Sequence, residues 1–170
     1  MADPTIDATV GGASSNSYIT RTNAQLYFDT RVAAEVAAWT DAATADKDRA
    51  LISATYRLEQ EEYAGVVADR DQALKWPRAG LTDEDGRQYD DDEIPKPIER
   101  ACCELALALL KSEVTLGDSG LEGFENVQVG SLDVTPRASR QAGVLPEQVK
   151  RLLRGLWEDT GSLTRPVYRA

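Results

Sequence analysis

Apolar side chains recur at helical spacing in three long segments of this chain. In residues 45–61, Leu51 and Leu58 stand two helical turns apart on one face. Residues 96–113 carry the most apolar stripe, and residues 146–157 carry a shorter one. We therefore predict a mostly α-helical fold, a small bundle with the first two helices as its core and the third beside them. The residues expected at its centre are Leu51, Leu58, Ile98, Cys102, Leu105 and Leu109.

Two further helices are predicted ahead of these three. The first begins after Thr20 or Thr22, since either side chain can accept hydrogen bonds from the free N–H groups of a helix start. It runs to about Arg31, and a second short helix covers residues 32–39. Residues 72–76 fit either a short helix or an extended piece.

One segment alternates in the manner of a β-strand. Apolar residues in 126–135 are separated by polar ones, with Gly130 in the middle, which predicts a β-hairpin over 124–136 or a single extended strand. An isolated hairpin is marginal in water, so we expect it to pair with another chain or to pack on the helices. The residues concerned in pairing between subunits are Val127, Val129, Gly130 and Leu132.

The length of 170 residues favours one domain. Residues 1–17, rich in small residues, form an extended N-terminal arm; residues 18–157 form the helical domain, and residues 158–170 form a C-terminal tail. The tail mixes apolar and basic side chains, which is typical of a partner-binding segment, although a frayed terminus is the plain alternative. The expected interface residues are Trp157, Leu163, Arg165, Val167, Tyr168 and Arg169.

No apolar run approaches the roughly 20 residues of a membrane span, and the N-terminus lacks the apolar stretch of a signal peptide. We expect a protein that is made in the cytoplasm, has no membrane partner, and stays there unless it leaves inside a larger particle.

The net charge of −10 is unevenly distributed. Residues 1–135 hold 12 basic and 26 acidic residues, whereas residues 136–170 hold 7 basic and 3 acidic ones. General binding to double-stranded DNA depends on Lys and Arg neutralising phosphates, so the overall charge argues against it. A basic end on an acidic body can pair with a neighbouring copy or another acidic partner, or it is simply a basic helix with its flank.

Catalytic motifs are missing from the sequence. The chain has no histidine, which excludes Ser-His-Asp and Cys-His nucleophiles and the commonest metal ligand. Its two cysteines, Cys102 and Cys103, are adjacent and cannot supply a four-thiolate zinc site. Neither the P-loop motif G-x-x-x-x-G-K-[S/T] nor the glycine-rich motif G-x-G-x-x-G occurs. We therefore predict no catalytic residue, no cofactor and no metal site.

The acidic loop at residues 79–93 fails the test for a calcium-binding EF-hand. With Gly86 at the sixth position, Leu81 takes the first position, where an Asp is needed, and Asp92 takes the twelfth. A solvated loop is the ordinary explanation, and weak cation binding is the alternative. A hydrolase using this loop would lose its activity on Asp83→Ala or Asp91→Ala.

The segment Lys75-Trp76-Pro77-Arg78 comes nearest to a platform for single-stranded nucleic acid, which needs aromatic residues interleaved with basic ones. It is short, and a tryptophan in such a place more often anchors a core or an interface.

Several local patterns, taken together, resemble a family of tailed-phage and prophage proteins over roughly residues 14–170. They are Ser17-Tyr18-Ile19, Tyr27-Phe28, Ala50-Leu51, Leu74-Lys75-Trp76-Pro77-Arg78, Ile94-Pro95 and Ala101-Cys102-Cys103-Glu104-Leu105-Ala106. Members are head–tail connector, or adaptor, proteins, and some are described as DnaT-like single-stranded-DNA-binding proteins.

The resemblance implies a structural subunit in the virion neck, assembled in the bacterial host cytoplasm. It implies a homo-oligomeric ring, commonly of twelve copies, beneath the portal protein and above a tail-side stopper or tail terminator protein. Double-stranded DNA would pass through the ring without sequence-specific binding, and an acidic lumen suits that passage. The alternative function is single-stranded DNA binding in a phage or prophage.

Overall fold

A computed structural model describes residues 3–83, 85–111 and 145–157 of the chain. These residues form five α-helices and one antiparallel two-stranded sheet, so the prediction of a mostly helical fold is confirmed. The elements are α1 (Arg21–Asp29), α2 (Ala37–Asp41), α3 (Thr44–Leu58), β1 (Val66–Val67), β2 (Arg78–Ala79), α4 (Lys96–Leu110) and α5 (Glu147–Leu153).

Helices α3 and α4 form the centre of the core. Thr55 of α3 lies against Cys102 of α4, with Oγ1 and Sγ 3.4 Å apart. Pro97 fits the first turn of α4, where its missing N–H removes no helical hydrogen bond. Of the residues predicted at the centre, Leu109 is only half-buried. The others are fully buried, namely Leu51, Leu58, Ile98, Cys102 and Leu105.

Helices α3 and α4 run antiparallel to each other, and so do α4 and α5. Asp46, near the start of α3, lines the same groove as Leu110 at the end of α4. Pro97, at the start of α4, lines another groove with Leu152 near the end of α5. Helix α5 buries Val149 and Leu153 against this core.

Helix α1 begins where the sequence indicated. The Thr20 side chain accepts a hydrogen bond from the Asn23 N–H group at 3.2 Å, which caps the helix. Phe28 is buried near the other end, and its ring centroid lies 4.7 Å from that of Trp39. This aromatic contact fixes α2 against α1.

Helix α2 is displaced from its predicted position of residues 32–39. The backbone makes turns before it, and the helix begins at Ala37. Arg31 is engaged with Glu104 of α4, and burial of Trp39 sets where the helix lies. These are contacts distant in sequence, which local periodicity does not reveal.

The small sheet was not predicted. Val66 pairs with Ala79, and Val67 pairs with Arg78. Gly65 precedes β1 with a φ of 76°, and a Cβ there would lie 2.6 Å from the Ala79 carbonyl oxygen. Glycine is therefore required at this approach of two backbones. The alternative of a helix over residues 72–76 is wrong, because residues 73–75 are bends and none of the five is helical.

The described part of the N-terminal segment has neither helix nor strand and packs on the body. The Asn16 N–H group donates to the Asp7 carbonyl at 2.8 Å, and the Ala73 N–H group donates to the Gly12 carbonyl at 3.0 Å. Ser17 is buried. Residues 3–17 thus cover part of the core.

The predicted hairpin at 124–136 and the predicted tail at 158–170 lie outside the described residues. Within the residues that are described, no helix combines the length and the apolar character needed to cross a membrane.

Candidate functional site

The segment suggested by sequence as a nucleic-acid platform, Lys75–Arg78, is built into the fold. Trp76 is 1% exposed, and its ring meets that of Tyr63 edge-on with centroids 5.4 Å apart. A base cannot stack on a ring that is covered in this way. The aromatic part of the predicted platform therefore belongs to the core.

The Arg78 side chain of this segment is also engaged within the fold. The Arg78 guanidinium donates to the carbonyl oxygens of Tyr63 at 3.1 Å, Ala64 at 2.7 Å and Gly65 at 2.7 Å. We call this arrangement the Arg78 clamp. It fixes the chain that leads into β1 against β2 and satisfies three carbonyl groups with one side chain. Arg78 is thus a structural residue.

A carboxylate completes this internal arrangement. Both Glu59 oxygens accept the Lys75 backbone N–H, at 3.0 and 3.1 Å, and Glu59 also accepts the Tyr18 hydroxyl. The Lys75 ammonium donates to the Glu61 carbonyl at 2.7 Å. Burial, followed by the charge of Glu59, raises the pKa of Tyr18 above its ordinary value. Glu59 therefore holds residues 74–76 to the end of α3.

A second polar network joins α1 to α4. Glu104 is 6% exposed and accepts hydrogen bonds from the Tyr27 hydroxyl and the Arg31 guanidinium. Arg31 also pairs with Glu35 at 3.3 Å. Burial, then the hydrogen bond to Glu104, raises the pKa of Tyr27 to about 12. The buried carboxylate is paired, as a charge in a core must be.

Both cysteines are buried thiols. The Cys102 Sγ lies 3.7 Å from the Leu51 carbonyl oxygen, and burial raises the pKa of Cys102 to about 12. Burial raises the pKa of Cys103 as well. Thiolates are the reactive form, so these two side chains serve as small apolar core residues.

The acidic loop is organised by one arginine. Arg87 donates to Asp83 and to Asp85, each at 2.8 Å. The pKa of Asp83 is held below its ordinary value. The largest cause is the hydrogen bond from the Arg87 backbone N–H, and the hydrogen bond from the Arg87 side chain adds to it. Among residues 3–83, 85–111 and 145–157, no cluster of three or more acidic or thiol side chains is placed to hold a metal ion.

An open groove of about 440 Å³ separates this loop from α5, and we call it the α5 groove. Arg151 and Arg154, both exposed, stand on its helical wall. Asp83 and Asp85 stand on the opposite wall with the half-buried ring of Tyr89. Two arginines and an aromatic ring can contact a phosphate backbone and a base, and the two carboxylates oppose such binding.

Of the residues expected to contact partners, only Trp157 is described. It is half-buried, packs against the core and forms an antiparallel bridge with Tyr63. The neighbouring Ala64 N–H donates to the Leu156 carbonyl at 3.0 Å. The residues outside the described ranges are Leu163, Arg165, Val167, Tyr168, Arg169, Val127, Val129, Gly130 and Leu132.

Sequence reasoning missed the structural roles of Glu59, Arg78 and Glu104. Apart from the Lys75 carbonyl near Arg78, their partners lie 13 to 77 residues away along the chain, beyond the reach of any periodicity. One signal was present for Glu104, because it stands inside the most apolar helix, where a charge must find a partner.

One comparison with known proteins gives a match. A family model described as "Putative DnaT-like ssDNA binding protein" matches residues 5–170. No curated protein and no solved structure matches the chain significantly.

Proposed function

The chain belongs to the DnaT-like single-stranded-DNA-binding family, and from its geometry we propose that it acts as a structural subunit of a tailed-phage neck. In this proposal copies of the chain form a ring that docks beneath the portal protein. A stopper or tail terminator protein binds the other face, and double-stranded DNA passes through the channel. The proposal assigns the protein no catalytic turnover and no cofactor, and places it in the virion.

The internal position of Lys75–Arg78 carries the proposal. In sequence, this segment comes nearest to a nucleic-acid platform, and it is also one of the patterns by which the chain resembles the connector proteins. Its tryptophan is buried, and its arginine is committed to three backbone carbonyls. In this chain the segment is therefore scaffold, which supports a subunit that works by being held between neighbours.

The charge of the chain supports the same proposal. With 19 basic and 29 acidic residues, the net charge is −10. A ring with an acidic lumen repels the phosphates of the DNA that slides through it, so passage is not slowed by binding. A head-to-tail contact between identical subunits closes into such a ring when its rotation permits.

Negative-stain imaging and native mass spectrometry of the purified chain test the proposal. We expect closed rings, alone or on addition of portal protein. A chain that stays monomeric under both conditions contradicts it.

Removal of the predicted tail tests the partner contacts. A chain truncated after Asp159 retains all the described residues and should keep its helical circular dichroism spectrum. We expect it to lose binding to the portal protein in a pull-down. Undiminished portal binding by the truncated chain contradicts the assignment of residues 160–170 to this contact.

Single-stranded DNA binding is the second candidate, and the description of the matched family favours it directly. Among the described residues, the α5 groove is the surface that suits it best, because Arg151 is 73% exposed and its nearest acidic partner, Glu147, is 3.8 Å away. Arg151 and Arg154 belong to residues 136–170, which carry the basic excess of the chain.

Fluorescence anisotropy with a labelled single-stranded oligonucleotide at low salt separates the two candidates. If DNA binding is the function, the pair Arg151→Ala and Arg154→Ala should weaken affinity about tenfold. The matched control is the pair Arg70→Ala and Lys96→Ala, two exposed cations outside the groove. Tight, salt-sensitive binding lost only in the first pair favours the DNA-binding function over the connector.

A further inference from the structure

A groove of about 250 Å³ opens between the N-terminal segment and the start of α4, and we call it the arm groove. Ala8, Val10, Ile19 and Ile94 line it with apolar side chains. Val10 is 45% exposed, which is unusual for a large apolar residue in a segment that packs on the body. The arm groove therefore leaves apolar surface in contact with solvent.

The charged side chains that line the arm groove are mostly acidic. They are Asp92, Glu93, Lys96 and Glu99. The Lys96 ammonium lies 2.7 Å from the Glu99 carboxylate, so these two charges compensate each other. Asp92 and Glu93 are exposed, and neither has a cationic partner among the described residues. Two uncompensated carboxylates beside apolar side chains suit a basic residue, whose aliphatic stem covers apolar surface while its charged head reaches the acids.

Helix α5 carries the complementary surface on the same chain. Its arginines Arg151 and Arg154 are exposed on the wall of the α5 groove. Arg151 approaches Glu147 only to 3.8 Å, and Arg154 pairs with no acid in the part of the chain that the structure describes. The α5 groove and the arm groove share no lining residue. One copy can therefore present each surface to a different neighbour.

Charge complementarity indicates a second copy of this chain as the occupant of the arm groove. The chain has a net charge of −10, so two copies repel each other unless opposite charges meet at their contact. The arm groove and the α5 surface supply such opposite charges. A contact between two different surfaces is heterologous, and its repetition closes a ring when the rotation permits.

We propose that Arg151 and Arg154 of one copy bind in the arm groove of the next copy, opposite Asp92 and Glu93. The apolar stems of the two arginines then cover Val10. This inference rests on the proposed function, because it names the contact that would build the ring. It gives the N-terminal segment a part in assembly as well as in covering the core.

Charge reversal tests the contact. One variant carries Asp92→Arg with Glu93→Arg, and the other carries Arg151→Glu with Arg154→Glu. We expect each variant alone to lose the assembly that native mass spectrometry detects for the parent, because like charges then face each other. An equimolar mixture of the two variants should recover assembly with equal amounts of each, since every contact again joins opposite charges.

Matched controls reverse the same number of charges outside the two grooves. Asp90→Arg with Asp91→Arg leaves the arm groove unchanged, and Arg70→Glu with Arg100→Glu leaves the α5 groove unchanged. Both control proteins should assemble as the parent does. Circular dichroism should show the parent's helicity in all the variants, because every substituted side chain is exposed.

Cross-linking gives a direct readout of which surfaces meet. Glu93→Cys and Arg154→Cys each place an accessible thiol on one of the two surfaces, whereas the native Cys102 and Cys103 are buried. We expect a short bis-maleimide to join the two variants when they are co-expressed and to join neither variant to itself. Equal yields from the single variants and from the co-expressed pair contradict the proposed contact.

The outcomes separate this inference from the proposed function. Rings that persist in both reversal variants, a mixture that stays unassembled, or controls that lose assembly as fully as the reversal variants overturn the inference and leave the connector proposal standing. If loss and recovery occur as expected but the parent forms dimers or open chains instead of rings, the inference holds and the connector proposal fails. A parent that stays monomeric with and without portal protein contradicts both.

Discussion

The α3–α4 pair and the stretch from Glu59 to Leu81 are stabilised in different ways. In the helix pair, apolar side chains repeat at helical spacing, and Leu51, Leu58 and Leu105 are fully buried. In the second stretch, side chains of Glu59 and Arg78 bind backbone groups of distant residues. One region is held by removing apolar area from water, and the other by satisfying the hydrogen bonds of an irregular backbone.

This difference sets how each region should respond to mutation. A core position fails when a charge is buried in it, because no partner is present to compensate. A polar clamp fails when its one side chain is removed, because several backbone groups then lose a partner together. Four substitutions, ordered from the largest expected effect to the smallest, test this contrast.

Leu105→Asp should unfold the subunit. Leu105 is 0% exposed, and burying an unpaired carboxylate costs several kcal/mol, a large part of the stability of a small domain. Circular dichroism should show loss of helix at 25 °C. Leu26→Asp is the control, since Leu26 is 61% exposed on α1. A soluble Leu105→Asp protein with full helicity would refute the core assignment.

Arg78→Ala should lower the free energy of unfolding by about 2 kcal/mol, because the carbonyls of Tyr63, Ala64 and Gly65 lose a charged donor. Urea denaturation measures the change. Arg78→Lys should recover less than half of it, since one ammonium cannot reproduce the planar fork of a guanidinium. Arg70→Ala, at a side chain 94% exposed, is the control. Equal stabilities for the Arg78→Ala and Arg70→Ala proteins would show that the clamp is not stabilising.

Glu59→Gln should cost about 1 kcal/mol, because a neutral amide accepts the Lys75 N–H and the Tyr18 hydroxyl less strongly than a carboxylate does. The same urea titration measures it, with Glu62→Gln at the exposed neighbouring acid as the control. A loss as large as that of Arg78→Ala would make Glu59 the main support of the region.

Of the four substitutions, Tyr27→Phe should lower the free energy of unfolding least at neutral pH. Its main effect should be on how that free energy changes with pH above pH 10. The folded pKa of Tyr27, about 12, lies above the ordinary value of 10.0, so the protonated hydroxyl contributes fully below pH 10. That contribution is lost as the pH rises from 10 toward 12. The urea midpoint should therefore fall less between pH 8 and pH 11 in the Tyr27→Phe protein than in the parent. Identical falls would exclude a linked role for Tyr27, and Tyr56→Phe on the surface is the control.

The two regions also differ in how far the sequence predicts them. The stripes at 45–61, 96–113 and 146–157 locate α3, α4 and α5, because a buried helix face repeats every turn. The predicted ends of α3 and α5 lie too far along the chain. After α3, the Tyr63 hydroxyl donates to the Leu58 carbonyl, and after α5 the chain pairs with residues 63–64 instead of continuing as helix.

The stretch from Glu59 to Leu81 could not be predicted in the same way. Its two strands are two residues each, too short to show alternation, and their pairing depends on Gly65 and on Arg78. The sequence Lys75–Arg78 offered a cation beside an aromatic ring, and only the fold distinguishes a ligand-binding pair from one turned inward. The α5 groove likewise joins residues more than 60 positions apart.

Two buried tryptophans provide separate optical reporters, Trp39 for the helical part of the core and Trp76 for the stretch from Glu59 to Leu81. Trp39 is 0% exposed against Phe28, and Trp76 is 1% exposed beside the Arg78 clamp. Replacing Trp39 or Trp76 by phenylalanine leaves the other one and Trp157 as the fluorescent tryptophans. Coincident melting curves from the two variants would mean that both regions unfold in one cooperative step, whereas separated curves would mean that the clamped stretch opens while the helices remain folded.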